Sequence, residues 1–270
     1  MTTAFPLPKA PTSAPRLRAG VAGIAGVLAS VLLVVEEADD APVVLIPAGA
    51  LLLAAIAVHA RSLGGQLFAR AAWWSSFTLG VFLSIIGSGR ERAEGGVLAI
   101  GTAVALLVAD PKRLSAATAQ GGYRPIAYRG TLQLMMVFAI ADALTMSLFG
   151  LLSIDKSDKS AGYVLLAAAA LFIVGFVGLY RLALWGIFAT AGTAFVLGVL
   201  LATGIVSPDS DLLPPLLFVC IAQPLAVMPM IVSMIRKRPL PSLPRAVTTW
   251  LERFIIVSGA AVATVALLMR

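Results

Sequence analysis

The sequence predicts an all-α fold, a polytopic transmembrane helix bundle of about nine spans, eight to nine by count. Three observations carry this. Of 270 residues, 60% are hydrophobic and only 12% are Asp, Glu, Lys or Arg, where a soluble domain has about 25% charged residues. The mean hydropathy is +0.98. The apolar residues fall in runs close to the roughly 20 residues that a helix needs to cross a bilayer, with the charges between them. Polar side chains are too few to coat a water-soluble core of this length, so the surplus apolar surface faces lipid.

Residues 1–15 contain Pro6, Pro8, Pro11 and Pro15 with little to bury, and are expected to form a disordered, proline-rich cytoplasmic tail. Residues 16–270 then make a single transmembrane domain. Arg16 and Arg18 precede the first run, 17–35, and no small-x-small cleavage site stands before Glu36, Glu37, Asp39 and Asp40, so this run reads as an uncleaved signal anchor. Further spans are expected at 43–60, 71–88, 95–109, 131–153, 161–180, 182–205, 212–235 and 247–269. The fourth is short, and only a tight turn at Tyr180 and Arg181 parts the sixth from the seventh, which is why the count varies.

Orientation follows from the basic residues, because short basic loops stay in the cytoplasm. With the N-terminus inside, only Arg90, Arg92, Lys156, Lys159 and Arg270 of the 20 Lys and Arg fall outside. This places the chain in a bacterial cytoplasmic (inner) membrane, C-terminus outside. The net charge of +7 is thereby explained as topology, and nucleic acid is not an expected partner. The layout also resembles a duplication, a 4+4 parallel repeat of 16–113 and 124–238 with an extra helix at 244–270; Arg61 ending span two matches Arg181 ending span six. Any pair of four-span units with basic inner loops would look similar at this level.

Small residues every fourth position mark helix faces that pack closely in lipid. Span three has Ala72, Ser76, Gly80, Ser84 and Ser88 in register, and span seven has Gly186, Thr190, Ala194, Gly198 and Ala202. Both spans are expected at the bundle centre. The same stripes could line a permeation path, but small residues serve plain packing more often. Trp73, Trp74, Trp185 and Trp250 lie near expected cytoplasmic boundaries and read as an interfacial belt. Glu252 and Arg253 are expected along the interface, with their charges solvated.

Asp142 is the one acid well inside an apolar run, at the middle of span five. A central aspartate costs at least about 2.5–3.5 kcal/mol, so it is a functional candidate by default. Protonation, a cation partner or hydrogen bonds from neighbouring helices can offset that cost, and Thr145 shares its face at i+3. Span eight carries Pro224 and Pro229 inside its run, each expected to kink the helix and free a carbonyl, at Cys220 and Leu225, with Gln223 between them. Asp142, Gln223 and Thr145 together form the expected substrate or ion site, although a structural hydrogen bond at Asp142 and an ordinary packing kink explain the same residues. Cys220 is read as a packing residue, and His59 as an interfacial cap.

One histidine cannot supply bis-histidine haem or two-histidine metal ligation. No GxxxxGK loop, HExxH motif or nucleophile–base pair is present, so no catalytic residues, cofactor or metal are expected. The sequence thus favours a small transporter or permease-like protein moving a small solute or proton, with the lipid bilayer as its constant partner. Its rivals are a non-transporting subunit or assembly anchor bound to another membrane protein, and, more weakly, an intramembrane lipid-processing enzyme in which Asp142, His59 and Glu252 would converge.

Overall fold

The computed structural model describes residues 45–57, 63–108, 129–155, 159–181, 183–208, 213–236 and 245–269. Eight helices account for them: α1 (Leu45–Ala57), α2 (Leu63–Ile86), α3 (Gly89–Val108), α4 (Arg129–Asp155), α5 (Lys159–Tyr180), α6 (Leu184–Ala202), α7 (Leu213–Arg236) and α8 (Arg245–Leu268). The described residues contain no strand. The proline-rich tail, the run 17–35, the acidic cluster at 36–40, His59, Arg61 and most of the basic loop after Asp110 lie outside them.

Among the described residues, four helices are long and apolar enough to cross a membrane, through Gly64–Ile86, Leu134–Ile154, Lys159–Tyr180 and Leu184–Ala202. They make the chain compatible with an integral membrane protein in contact with lipid. The other runs are helical but less clear-cut. The helix α3 opens with Glu91, Arg92 and Glu94, which shortens its apolar part, and α8 carries Glu252 and Arg253 in its first third. The apolar stretches of α1 and α7 are shorter still, at Ala48–Ala57 and Leu213–Leu225. Nine crossings and a 4+4 repeat are therefore not established by the described helices.

The centre of the bundle is α2, which packs against α1, α3, α4, α7 and α8. Its three faces have different mates. The stripe Ala72, Ser76, Gly80 and Ser84 is buried, and at Gly80 the backbone of α3 comes so near that an added Cβ would stand 2.6 Å from Ala99 N and 2.8 Å from Gly95 O. Ser88, at the end of the stripe, is exposed. A second face, with Phe77 and Val81, takes Gly259 of α8. The third, with Ser75, Thr78, Leu79 and Phe82, looks towards α4 and α7.

Span seven departs from its expected central place. The helix α6 packs chiefly on α5 and α7, at the edge of the described bundle. Its stripe is the mating face for those two neighbours: a Cβ on Gly186 would lie 2.3 Å from Leu179 N, Thr190 abuts Gly175, and Gly198 faces Cys220. Gly186 and Gly80 thus leave no room for a methyl group, let alone a solute, and neither borders a path. Spacing alone locates a close contact but not the identity of the partner helix.

Two further expectations change. Trp73 and Trp74 are 1% and 6% exposed, inside the core and not in an interfacial belt, whereas Trp185 and Trp250 are exposed. Glu252 is not solvated along an interface but paired within the bundle. The helix α8 packs along α2 and brings Glu252 to Trp74.

Candidate functional site

At the middle of α4, with thirteen helical residues on either side, stands Asp142. The helices α2 and α7 cover it until its side chain is 6% exposed. Its Oδ2 has no hydrogen-bond partner among the described residues. That is unusual, since buried polar atoms are nearly always paired. Beside it is a narrow cleft lined by Trp74, Ser75, Thr78 and Leu79 of α2, Phe138, Ala141, Asp142, Thr145 and Phe149 of α4, and Pro215, Phe218 and Val219 of α7. The space open to the centres of water molecules is ≈ 20 Å³, and one water needs about 10–15 Å³ measured this way.

Proton bookkeeping decides what the cleft presents. Thr145 Oγ1 donates to the Ala141 carbonyl at 2.9 Å, the usual way for a hydroxyl inside an apolar helix to satisfy its proton. It also lies 2.8 Å from Ser75 Oγ. With the Thr145 proton committed to its own helix, the proton between the two hydroxyls comes from Ser75. The wall is mostly apolar, and Ser75, Thr78, Asp142 and Thr145 are its polar members.

The structure brings Asp142 and Thr145 to one cleft. Gln223 is only 1% exposed and sits on α7, one turn beyond Val219, but does not line the cleft, and neither Nε2 nor Oε1 finds a partner among the described residues. Asp142 and Gln223 therefore do not hydrogen-bond to each other. The helix α7 remains helical from Leu213 to Arg236 through both Pro224 and Pro229, so its backbone is not unwound into a broken-helix site. Pro224 still has no N–H, and the Cys220 carbonyl lacks its usual donor four residues on. Pro215, at the helix start, contributes its ring to the cleft wall.

One group of residues was not anticipated. Arg70 donates to Glu252 Oε1, and Trp74 Nε1 donates to the same oxygen at 3.3 Å. Arg70 and Glu252 are 12% and 18% exposed at their side chains. The signal available in the sequence was the spacing Arg70–Trp74, four apart on one helical face; the partner, 178 residues away, carried no local mark. Glu252 meets Trp74 from outside the cleft and does not line it, so Asp142 and Glu252 do not converge as a lipid-processing enzyme would require.

No protein-family model, no curated relative and no solved structure matches the chain.

Proposed function

We propose that the chain is a small transporter of a bacterial cytoplasmic membrane, N-terminus inside, which moves a proton or small cation through a mid-bundle site at Asp142. One observation supports this above the rest: a buried carboxyl oxygen with no partner among the described residues, on a side chain that borders a water-sized cleft between three helices. A carboxyl group kept only for packing would be hydrogen-bonded or replaced by an apolar side chain. The cleft volume favours a proton or a dehydrated cation over an organic solute, which needs some 300 Å³ or more. Gln223 and the Cys220 carbonyl supply further polar groups on the α7 side should the cleft extend during transport.

The test is flux in vesicles of purified protein carrying an internal pH dye, or a cation-sensitive one, under an imposed potential. Asp142→Asn keeps the shape and removes the charge. Flux should fall to the protein-free background while the variant elutes from size-exclusion chromatography like the parent; undiminished flux removes the site.

A second reading has its own support. The outer face of α6 exposes Trp185, Phe188, Phe195, Val196 and Val199 together, as an assembly subunit would present to a membrane partner. Lipid satisfies the same face, and the cleft at Asp142 has no role in that reading. Co-purification of a stoichiometric membrane protein in mild detergent, lost on Phe195→Ala, would favour it.

A further inference from the structure

We propose that Arg70 and Glu252 form a latch holding the Trp74 indole as the closing wall of the Asp142 cleft, on the reading that Asp142 handles the ion. Trp74 belongs to both structures: its ring lines the cleft, and its Nε1 donates to Glu252 Oε1 at 3.3 Å. Arg70, one helical turn earlier on α2, donates to that same oxygen. A single atom of α8 thus anchors two side chains of α2.

The order along α2 is that of a gate. At 1.5 Å per residue, Arg70 lies about 10 Å from Leu63, Trp74 about 16 Å and Thr78 about 22 Å. The helix α8 runs alongside in the same direction, because Glu252 meets Arg70 and Trp74 while Gly259 meets Phe77. An ion entering from the end where both helices start encounters the Arg70–Glu252 pair first, the indole next, and the Ser75, Thr78 and Asp142 cleft last.

Apolar contacts set the ring's resting position. It meets Phe77 edge-on at 5.6 Å and Phe138 at a tilt, 6.2 Å between centroids. Phe138 also lines the cleft, so the indole and this phenyl ring form one wall. These contacts favour an edge-on or tilted ring, and the bond to Glu252 adds a polar anchor at the indole N–H. Because the pair is largely shielded from water, removing one partner costs more than at a surface ion pair, yet one ion or water arriving from the helix-start end can compete for the shared oxygen. Release of Glu252 frees Trp74 to turn and joins the cleft to that end.

Thiol accessibility in membrane vesicles tests this without reference to transport. In a Cys220→Ala background, Thr78→Cys reports access to the cleft and Ala194→Cys, fully buried on α6, reports general loosening. A charged, membrane-impermeant thiol reagent is added to the side where α2 begins. Glu252→Ala is expected to speed labelling of Thr78→Cys about tenfold, the effect of removing one charge-assisted hydrogen bond from a closed state. Trp74→Phe, which keeps a ring but loses the N–H, should speed it as well, and Arg70→Ala should add little to Glu252→Ala because the two act as a unit. In each case Ala194→Cys should label at its parental rate. Unchanged labelling of Thr78→Cys in these variants overturns the latch, and so does equal acceleration at Ala194→Cys, which would show that the pair merely holds the bundle together. If Glu252→Ala does not fold, Trp74→Phe decides alone. Should Asp142→Asn leave flux intact, the transport reading fails by that measurement, while the labelling rates still decide whether the latch exists.

Discussion

Replacing Asp142 by leucine separates a functional carboxylate from a structural one. If the group is retained for function, it is a burden on the fold, because Oδ2 is buried with no partner among the described residues. An unsatisfied buried acceptor costs about 1–3 kcal/mol. Leucine repeats the branching of aspartate, Phe138, Phe149 and Val219 line the cleft that its methyl groups would border, and the adjoining ≈ 20 Å³ of open space would take up part of its larger volume. Asp142→Leu should therefore stabilise the chain by an amount of that order, and at about 2–4 °C per kcal/mol for chains approaching this size the melting temperature should rise by several degrees. The assay is heating in detergent with a thiol-reactive dye, since Cys220 is the one cysteine, is buried, and becomes reactive as the bundle opens. The same variant should have no flux. A lower melting temperature would refute the reasoning: it would mean that the carboxyl makes bonds that hold the helices together. Stability gained with activity lost is the pattern expected where a site is kept for use at some cost to the fold.

Gly80→Ala should destabilise by about 1–3 kcal/mol, because backbone atoms of α3 and not flexible side chains occupy the space its Cβ needs. Gly101→Ala, with nothing within 4 Å of the new methyl, should be neutral or slightly stabilising; equal melting temperatures for the two would refute the close approach of α2 and α3. Ser75→Ala and Thr145→Val should each cost about 0.5–1.5 kcal/mol, and the double variant less than their sum, since the two hydroxyls share one hydrogen bond at 2.8 Å. Strict additivity in the melting temperatures would show that the bond is not made.

Much of the site was legible because the bilayer makes single polar residues conspicuous. Asp142 and Thr145 stand out by depth and helical spacing, and one turn of helix is enough to put them on a common face. Gln223 was visible by its type, but its distance from the cleft was not, since the rotation of α7 about its axis depends on the packing of Cys220 against Gly198 and of Phe218 against Phe82. The Arg70–Glu252 pair was invisible for a different reason. Each residue alone resembles an interfacial charge near a helix start, and only the docking of α8 on α2 turns two such charges into a pair.

By itself the sequence determined the solvent and the secondary structure. Long apolar runs with few charges are stable in lipid only as helices, because no other local conformation pairs every backbone N–H and C=O within one segment. Small residues at fourfold spacing determined where helices touch. The tertiary structure decided which helices touch there, that α2 is central and α6 peripheral, that Trp74 lines a cleft, and that Asp142 Oδ2 has no partner among the described residues. Those outcomes depend on contacts between residues far apart in the chain. In a membrane such contacts are selected by shape and by pairing of rare polar groups, since the general hydrophobic drive that would otherwise mark a buried face is absent between helices already in oil.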